Sequence, residues 1–266
     1  MSAPAINNKQ SDLNVVTLGG GNGLATLLAG MKAFADLHCH TSASFDCLSA
    51  PRDVVRAAAS RGLTHIAITD HERLEGAFEA REAAPDGLTV IVGEEVRTRD
   101  GDLVCLFLEE AVPRGLSAEE TIAAVREQGG LVGVPHPFDR SRGSLLRDMT
   151  MAALAPQVDW IETHNARVMV GDGNLKAALF ATEHGLPGIA VSDAHSVLEV
   201  GIAYTAFDGD PSTPEGLLEA LATALIVPGR ASYYVRLATP LAKVVHRLRG
   251  RRRPAPAVDS VHGTGR

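Results

Sequence analysis

The feature that most limits how this chain can fold is a recurring unit: a short apolar, β-rich run ends in His, Asp or Glu, and a longer helical stretch follows. Strands are expected at residues 34–38, 64–69, 89–93, 131–134, 159–163 and 188–191, with additional ones at 103–108 and 202–207. Between them 53–61, 74–84, 117–128, 145–153, 173–184 and 213–224 read as helices. Ser117 and Glu120 have capping-box spacing, and Gly129–Gly130 reads as a stop. This alternation is the signature of βα units on a mainly parallel sheet, hence the α/β class.

Six of the ten histidines stand at or just after a strand end. In a parallel α/β barrel all those ends open on one face, so residues far apart in sequence converge there. In DLHCHT, residues two apart on a strand share a side, which points His38 and His40 at one metal and Cys39 away. An isolated HxH is equally a pair of surface histidines. Asp46 either caps its loop or reaches back as a ligand, and Cys47 is packing. In THIAITDH, His71 takes the ligand role and Asp70 holds an imidazole in its tautomer, while His65 at the strand's beginning is structural. VIVGEEV offers Glu94 and Glu95, either of which could bridge two cations. The prolines around His136 in LVGVPHPF are expected to hold it in extended geometry. WIETHNAR brings Glu162, His164, Asn165 and Arg167, and IAVSDAH brings Asp193 and His195. Nitrogen and oxygen donors without a committed cysteine suit Zn2+, Mn2+ or Fe2+.

The motifs DLHCHT, Asp46, ITDH, GEEV, PHP, ETHN and SDAH, in that order, resemble the PHP family, named for polymerase and histidinol phosphatase, over residues 34–230. The resemblance implies a distorted (β/α)7 TIM-like barrel that holds up to three divalent cations and hydrolyses phosphate esters. It selects Glu95 over Glu94 through the family's Gly-x-Glu pattern. By analogy His38, His40, Glu95 and Asp193 hold one metal, Glu95, His136 and His164 a second, and Asp46, His71 and His195 a third. The implied chemistry is attack on phosphorus by a metal-bridging hydroxide, with Glu95, His195 and Arg167 as the catalytic residues. Arg140, Arg142 and Arg167 are candidate phosphate grips. The expected partner is a small phosphorylated metabolite or nucleotide. An exonuclease or oligonucleotide phosphodiesterase would use the same metals, with nucleic acid the less favoured substrate. A metal-binding regulatory or interaction module is the alternative of another class.

The remaining sequence limits the setting. Three cysteines without a CxxC pair suggest a reducing, cytoplasmic compartment. A net charge of −7 disfavours an overall basic nucleic-acid clamp. No secretory signal is visible, and the uncharged run 15–31 holds five glycines and is too short to span a membrane. Residues 1–33 lie outside the barrel pattern as an N-terminal appendage or fusion remnant. There VVTLGGGNGLATLLAGMK resembles the opening of the 2-phospho-lactate transferase and gluconeogenesis-factor families, and Met31 allows an internal start. Residues 231–266 read as an irregular, flexible tail, with six Lys or Arg and no acid between Lys243 and Arg253.

Overall fold

A computed structural model describes residues 30–139, 148–168, 170–232, 234 and 238–250. The Gly-rich opening, Arg140, Arg142 and the end of the basic tail lie outside the described residues. The elements in order are β1 (Ala33–Cys39), α1 (Pro51–Ser60), β2 (His65–His71), α2 (Glu75–Glu82), β3 (Thr89–Arg97) and β4 (Asp102–Leu106). They continue with α3 (Ala118–Glu127), β5 (Leu131–Val134), α4 (Asp148–Leu154), β6 (Trp160–Asn165), α5 (Gly173–His184) and β7 (Gly188–Val191). Last come β8 (Tyr204–Phe207), α6 (Pro214–Leu221), β9 (Leu225–Val227) and α7 (Ala238–Leu248).

One sheet runs β7-β6-β5-β4-β3-β2-β1-β8-β9. It is more mixed than alternation alone suggests: β4 is antiparallel to both β3 and β5, and β8 to both β1 and β9. The strands that carry the polar ends, β1, β2, β3, β5, β6 and β7, nevertheless point the same way, so their C-termini share one rim. The sheet curls until the end of β7 meets β1. Cys39 and Ala194 form a parallel bridge, the His40 N–H donates to the Ala194 carbonyl at 2.9 Å, and buried Asp36 accepts from the N–H groups of Ser192 and Gly201. The result is a nearly closed, distorted TIM-like barrel.

Side-chain parity separates two layers of core. Ala35, Leu37, Ala67, Ile91, Leu131, Trp160, Ile189 and Val191 pack together inside the curl. Ile66, Ile68, Val90, Val92, Val132 and Ile161 pack outward with Val54, Ala58, Ala77, Val125 and Leu154 from the helices. Each fully buried large aliphatic contributes about 1.5–3 kcal/mol. With both faces covered, every residue of β2 is buried. Gly133 leaves space for the Trp160 ring, which a Cβ there would meet at 2.1 Å. The α3 capping box forms as the sequence suggests, with Ser117 Oγ accepting from Glu120 N and Glu120 Oε2 accepting from Ser117 N.

Past Ala231 the chain is not simply irregular: β9 is followed, after residues outside the description, by the helix α7. Its face of Thr239, Ala242, Lys243 and His246 has the i, i+3, i+4, i+7 spacing of one helical side. Ala242 and His246 are buried, and His246 Nε2 donates to the Cys47 carbonyl at 2.8 Å. The charge run reads as a solvated tail because it borders Ala242 and encloses His246, the two buried docking residues. Among the described residues no helix is long and apolar enough to cross a membrane.

Candidate metal centre

Parity chooses between the two carboxylates of β3. Glu95 shares the inward side with Ile91, whereas Glu94 shares the outward side with Val92 and Val96. Glu94 Oε2 accepts from the Val112 N–H at 3.0 Å, and burial pushes its carboxyl up to about 7. Glu95 enters a ring of imidazoles. Its Oε2 lies 3.4 Å from His38 Nε2, 3.4 Å from His40 Nε2 and 3.1 Å from His71 Nδ1, and its Oε1 lies 3.3 Å from His136 Nε2. Burial would raise its carboxyl, but the charge of His71, the hydrogen bond of His136 and the nearby His38 outweigh that and hold it well below the ordinary carboxylate range.

A register shift in β1 between Asp36 and Cys39 aims the first pair. The inserted residue reverses parity, so His38 and His40 turn inward after Leu37 and Cys39 turns out to the helices. The two Nε2 atoms are 3.1 Å apart, and both face Asp193 Oδ1, at 3.8 and 3.6 Å. Their Nδ1 atoms are held from behind. Glu162 Oε1 lies 2.6 Å from His38 Nδ1, and Ser44 Oγ lies 3.1 Å from His40 Nδ1 while donating to Asp70 Oδ1 at 2.7 Å. Asp70 therefore orients an imidazole as its sequence position suggests, acting through Ser44. Thr41 holds both oxygens of Asp70, its N–H donating to Oδ1 and its Oγ1 to Oδ2 at 2.6 Å each. Gly76 leaves space for this pair, since a Cβ there would meet Asp70 Oδ2 at 2.1 Å.

A second group surrounds Asp46. Its Oδ2 stands 3.5 Å from His71 Nε2, 3.4 Å from His195 Nε2 and 3.9 Å from Lys243 Nζ. Burial opposes ionisation, but His195 and His71 hold this carboxyl well below its usual range. The His195 Nδ1–H donates to the Asp193 carbonyl at 2.9 Å. Burial, reinforced by the Arg167 charge, lowers His195 to about 4, and burial lowers His40 to about 4. The bond from Nδ1 leaves His195 Nε2 turned to the cluster.

Two of the gathered residues have left-handed backbone geometry. His136 has φ +29° and Asp193 φ +53°. The flanking prolines do not keep His136 extended. It occupies the left-handed side, a conformation that costs of order 1–3 kcal/mol and persists where surrounding contacts impose it. Here the constraint is the His136 N–H donated to Glu162 Oε2 at 2.8 Å.

The structure thus gathers His38, His40, Asp46, His71, Glu95, His136, Asp193 and His195. It does not bring in His164. Trp160 and Glu162 face inward, but the register of β6 shifts between Glu162 and His164. Asn165 then faces the site, donating to Glu162 Oε2 and Asp193 Oδ2, and His164 turns away to Gly229 O at 2.8 Å and Asn174 at 3.5 Å. Glu162, which the sequence offers beside His164 with no assigned role, is the residue that holds His38 and His136. Its parity with Trp160 was the available signal. Arg167 is buried behind His195, with Nη1 3.4 Å from Glu199 Oε1 and Nη2 donating to Thr239 Oγ1 at 2.8 Å. Cys47 and Cys39 are buried free thiols, and His65 bonds Ser212 at the far end of β2, consistent with structural roles.

The donor set fits divalent cations. His40, His71 and His195 form one group of possible ligand atoms within 4.8 Å of one another, and His38, His40 and Asp193 form another. Glu95 Oε2 and Asp46 Oδ1 are buried without a hydrogen-bond donor among the described residues. A buried carboxylate oxygen facing imidazole nitrogens without a hydrogen bond is costly in apo form and is satisfied by a cation.

Comparison with known proteins agrees. Residues 36–131 match the family model of the PHP domain, and residues 171–224 match that of the PHP-associated region. An uncharacterized protein of Methanocaldococcus jannaschii is 35% identical over 146 residues, which cover 50% of this chain and 81% of that protein. A 5'-3' exoribonuclease of Haemophilus influenzae is 29% identical over 133 residues, covering 45% of this chain and 48% of the enzyme. A crystal structure from Bacteroides vulgatus, of a two-domain protein described as containing a predicted PHP-like metal-dependent phosphoesterase, superposes with a TM-score of 0.64 at 21% identity. That superposition covers 75% of this chain and 66% of the two-domain protein.

Proposed function

The chain belongs to the PHP family, and on that footing we propose that it hydrolyses a phosphate ester of a small phosphorylated metabolite or nucleotide, using up to three divalent cations. The observation that carries this reading is Glu95, whose two carboxylate oxygens are shared among four inward-facing imidazoles. His38, His40, Glu95 and Asp193 would hold one ion, Glu95 and His136 a second, and Asp46, His71 and His195 a third, with Zn2+, Mn2+ or Fe2+ suited to the donors. Bound, such ions acidify water to near neutrality and neutralise phosphoryl oxygens.

The chain's own residues do the rest. Glu162 and the Asp70–Ser44 pair fix His38 and His40 with Nε2 turned to the centre. His195 keeps its proton on Nδ1, against the Asp193 carbonyl, so Nε2 is free to bind or accept. Arg167, buried against Glu199 and Thr239 behind His195, would act on the centre through its positive charge and not by direct contact with a phosphoryl oxygen.

The exonuclease reading keeps weight from the Haemophilus influenzae relative. The convergence of eight candidate ligands on one rim speaks against the regulatory-module reading. Three buried free cysteines accord with a reducing, cytoplasmic setting. The test is turnover of an aryl phosphate by the metal-loaded protein. We expect activity that disappears with chelator and in His38→Ala. Absence of turnover on both mono- and diesters by metal-replete protein would sink the enzyme reading, and a preference for oligonucleotides would favour the exonuclease.

A further inference from the structure

The helix α7 begins after the last residue matched by either family model, yet it reaches the metal centre at two points. Thr239 Oγ1 accepts from Arg167 Nη2 at 2.8 Å, and Lys243 Nζ stands 3.9 Å from Asp46 Oδ2 and 5.5 Å from the centre of the Phe45 ring. A third point, the 2.8 Å bond from His246 to the Cys47 carbonyl, ties the helix to the loop that carries Asp46. The backbone beneath Lys243 is therefore fixed on both sides. Its side chain is not consumed by that fixing. Its ammonium makes no hydrogen bond among the described residues, and 3.9 Å is too long for one. The side chain is 52% exposed, whereas Asp46 beside it is 6% exposed.

We propose that Lys243 is a substrate-binding residue, an anchor for the phosphoryl group of a phosphomonoester at the Asp46, His71 and His195 side of the centre. This rests on the phosphoesterase reading. An ammonium with three unused donors, one carboxylate away from His71 and His195, can meet a phosphoryl oxygen without leaving its helix. A monoester dianion gains more from one added cation than a diester monoanion does, because the Coulomb energy scales with charge. Lys243 therefore biases the site toward terminal phosphate. The first cation of the basic run thus belongs to the active site.

The experiment uses full-length protein loaded with Mn2+ and three variants: Lys243→Ala, Lys243→Arg, and Arg247→Ala as an exposed cation on the same helix. KM and kcat are measured on p-nitrophenyl phosphate and on bis-p-nitrophenyl phosphate, inorganic phosphate affinity by calorimetry, and bound metal by elemental analysis. In Lys243→Ala we expect KM for the monoester and the dissociation constant for phosphate to rise about ten- to hundred-fold, the range for a hydrogen bond to a charged group. The diester KM should rise less, metal content should hold, Lys243→Arg should restore much of the loss, and Arg247→Ala should match wild type. Unchanged monoester KM and phosphate affinity would overturn the proposal. So would loss of metal, which would make Lys243 a partner of Asp46 alone, or an equal loss in Arg247→Ala, which would indicate a general field. If wild type turns over neither ester, the phosphoesterase reading fails by itself, and the calorimetry still decides whether Lys243 binds phosphate.

Discussion

His38 Nδ1 and Glu162 Oε1 lie 2.6 Å apart, joining two strands across the barrel behind the metal-facing side of the imidazole. A carboxylate in this position fixes the tautomer and raises the basicity of Nε2, and loss of such a partner costs about 10–100-fold in metal affinity. Glu162→Gln is expected to lower affinity by that factor while the far-ultraviolet circular dichroism stays native. Chelator competition measures it. Equal affinity in variant and wild type would show that Glu162 only braces the His136 backbone.

Metal occupancy should also appear as stability. A ligand that binds only the folded state at 100 times its dissociation constant adds about 2.7 kcal/mol. For a domain of this size that raises the melting temperature by roughly 5–10 °C. Scanning calorimetry with saturating Mn2+, and again with excess chelator, should give that separation in wild type and much less in Glu95→Gln. Coincident melting curves for wild type would contradict a resident metal centre.

His136 and His164 divide the family analogy from the geometry seen here. His136 Nε2 is 3.3 Å from Glu95 Oε1, whereas His164 bonds Gly229. His136→Ala should lose more metal affinity than the roughly 10–100-fold of an outer partner, and His164→Ala should keep wild-type metal content and activity within about threefold. Elemental analysis and aryl phosphatase rates distinguish them. Loss of an ion in His164→Ala would restore His164 to the ligand set.

That pair also shows how far the sequence could lead. Strand-end positions were legible because β-rich runs alternate with helices, whereas the choice of Glu95 over Glu94 comes from the family pattern and finds its physical reason in the parity with Ile91 that the structure shows. The inward turn of His38 and the outward turn of His164 both depend on register shifts, at Asp36/Cys39 and Glu162/His164. A one-residue slip reverses every following side chain, and neither segment carries a glycine to announce it. The docking of α7 was hidden for another reason. The helix is held by polar contacts from Thr239, Lys243 and His246, while its Leu241, Val244 and Leu248 are exposed, so its apolar pattern points away from the side that binds.

Glu94 gives a prediction about pH that is separable from the metal chemistry, because its side chain faces the helices. Burial is the main reason its carboxyl sits near 7, aided by the like charge of Glu72 and opposed by the Val112 N–H. Its ordinary value, and so its value in the unfolded chain, is 4.5. Between these two values the folded state holds a proton that the unfolded state has released, so stability contributed by this group falls as pH rises. Below the unfolded value both states are protonated and there is no penalty. Above about 7 both are ionised and the penalty is complete, roughly 3 kcal/mol at about 1.4 kcal/mol per pH unit. Glu94→Gln retains an acceptor for Val112 and cannot ionise. Relative to wild type it should therefore gain roughly 2–3 kcal/mol between pH 5 and pH 8, read from urea denaturation in chelator. All other ionisable groups are common to both proteins and cancel in the difference. A constant difference across that range would mean that Glu94 is solvated in the folded state, contrary to its burial, while an unchanged metal content in the variant would separate its role from that of Glu95.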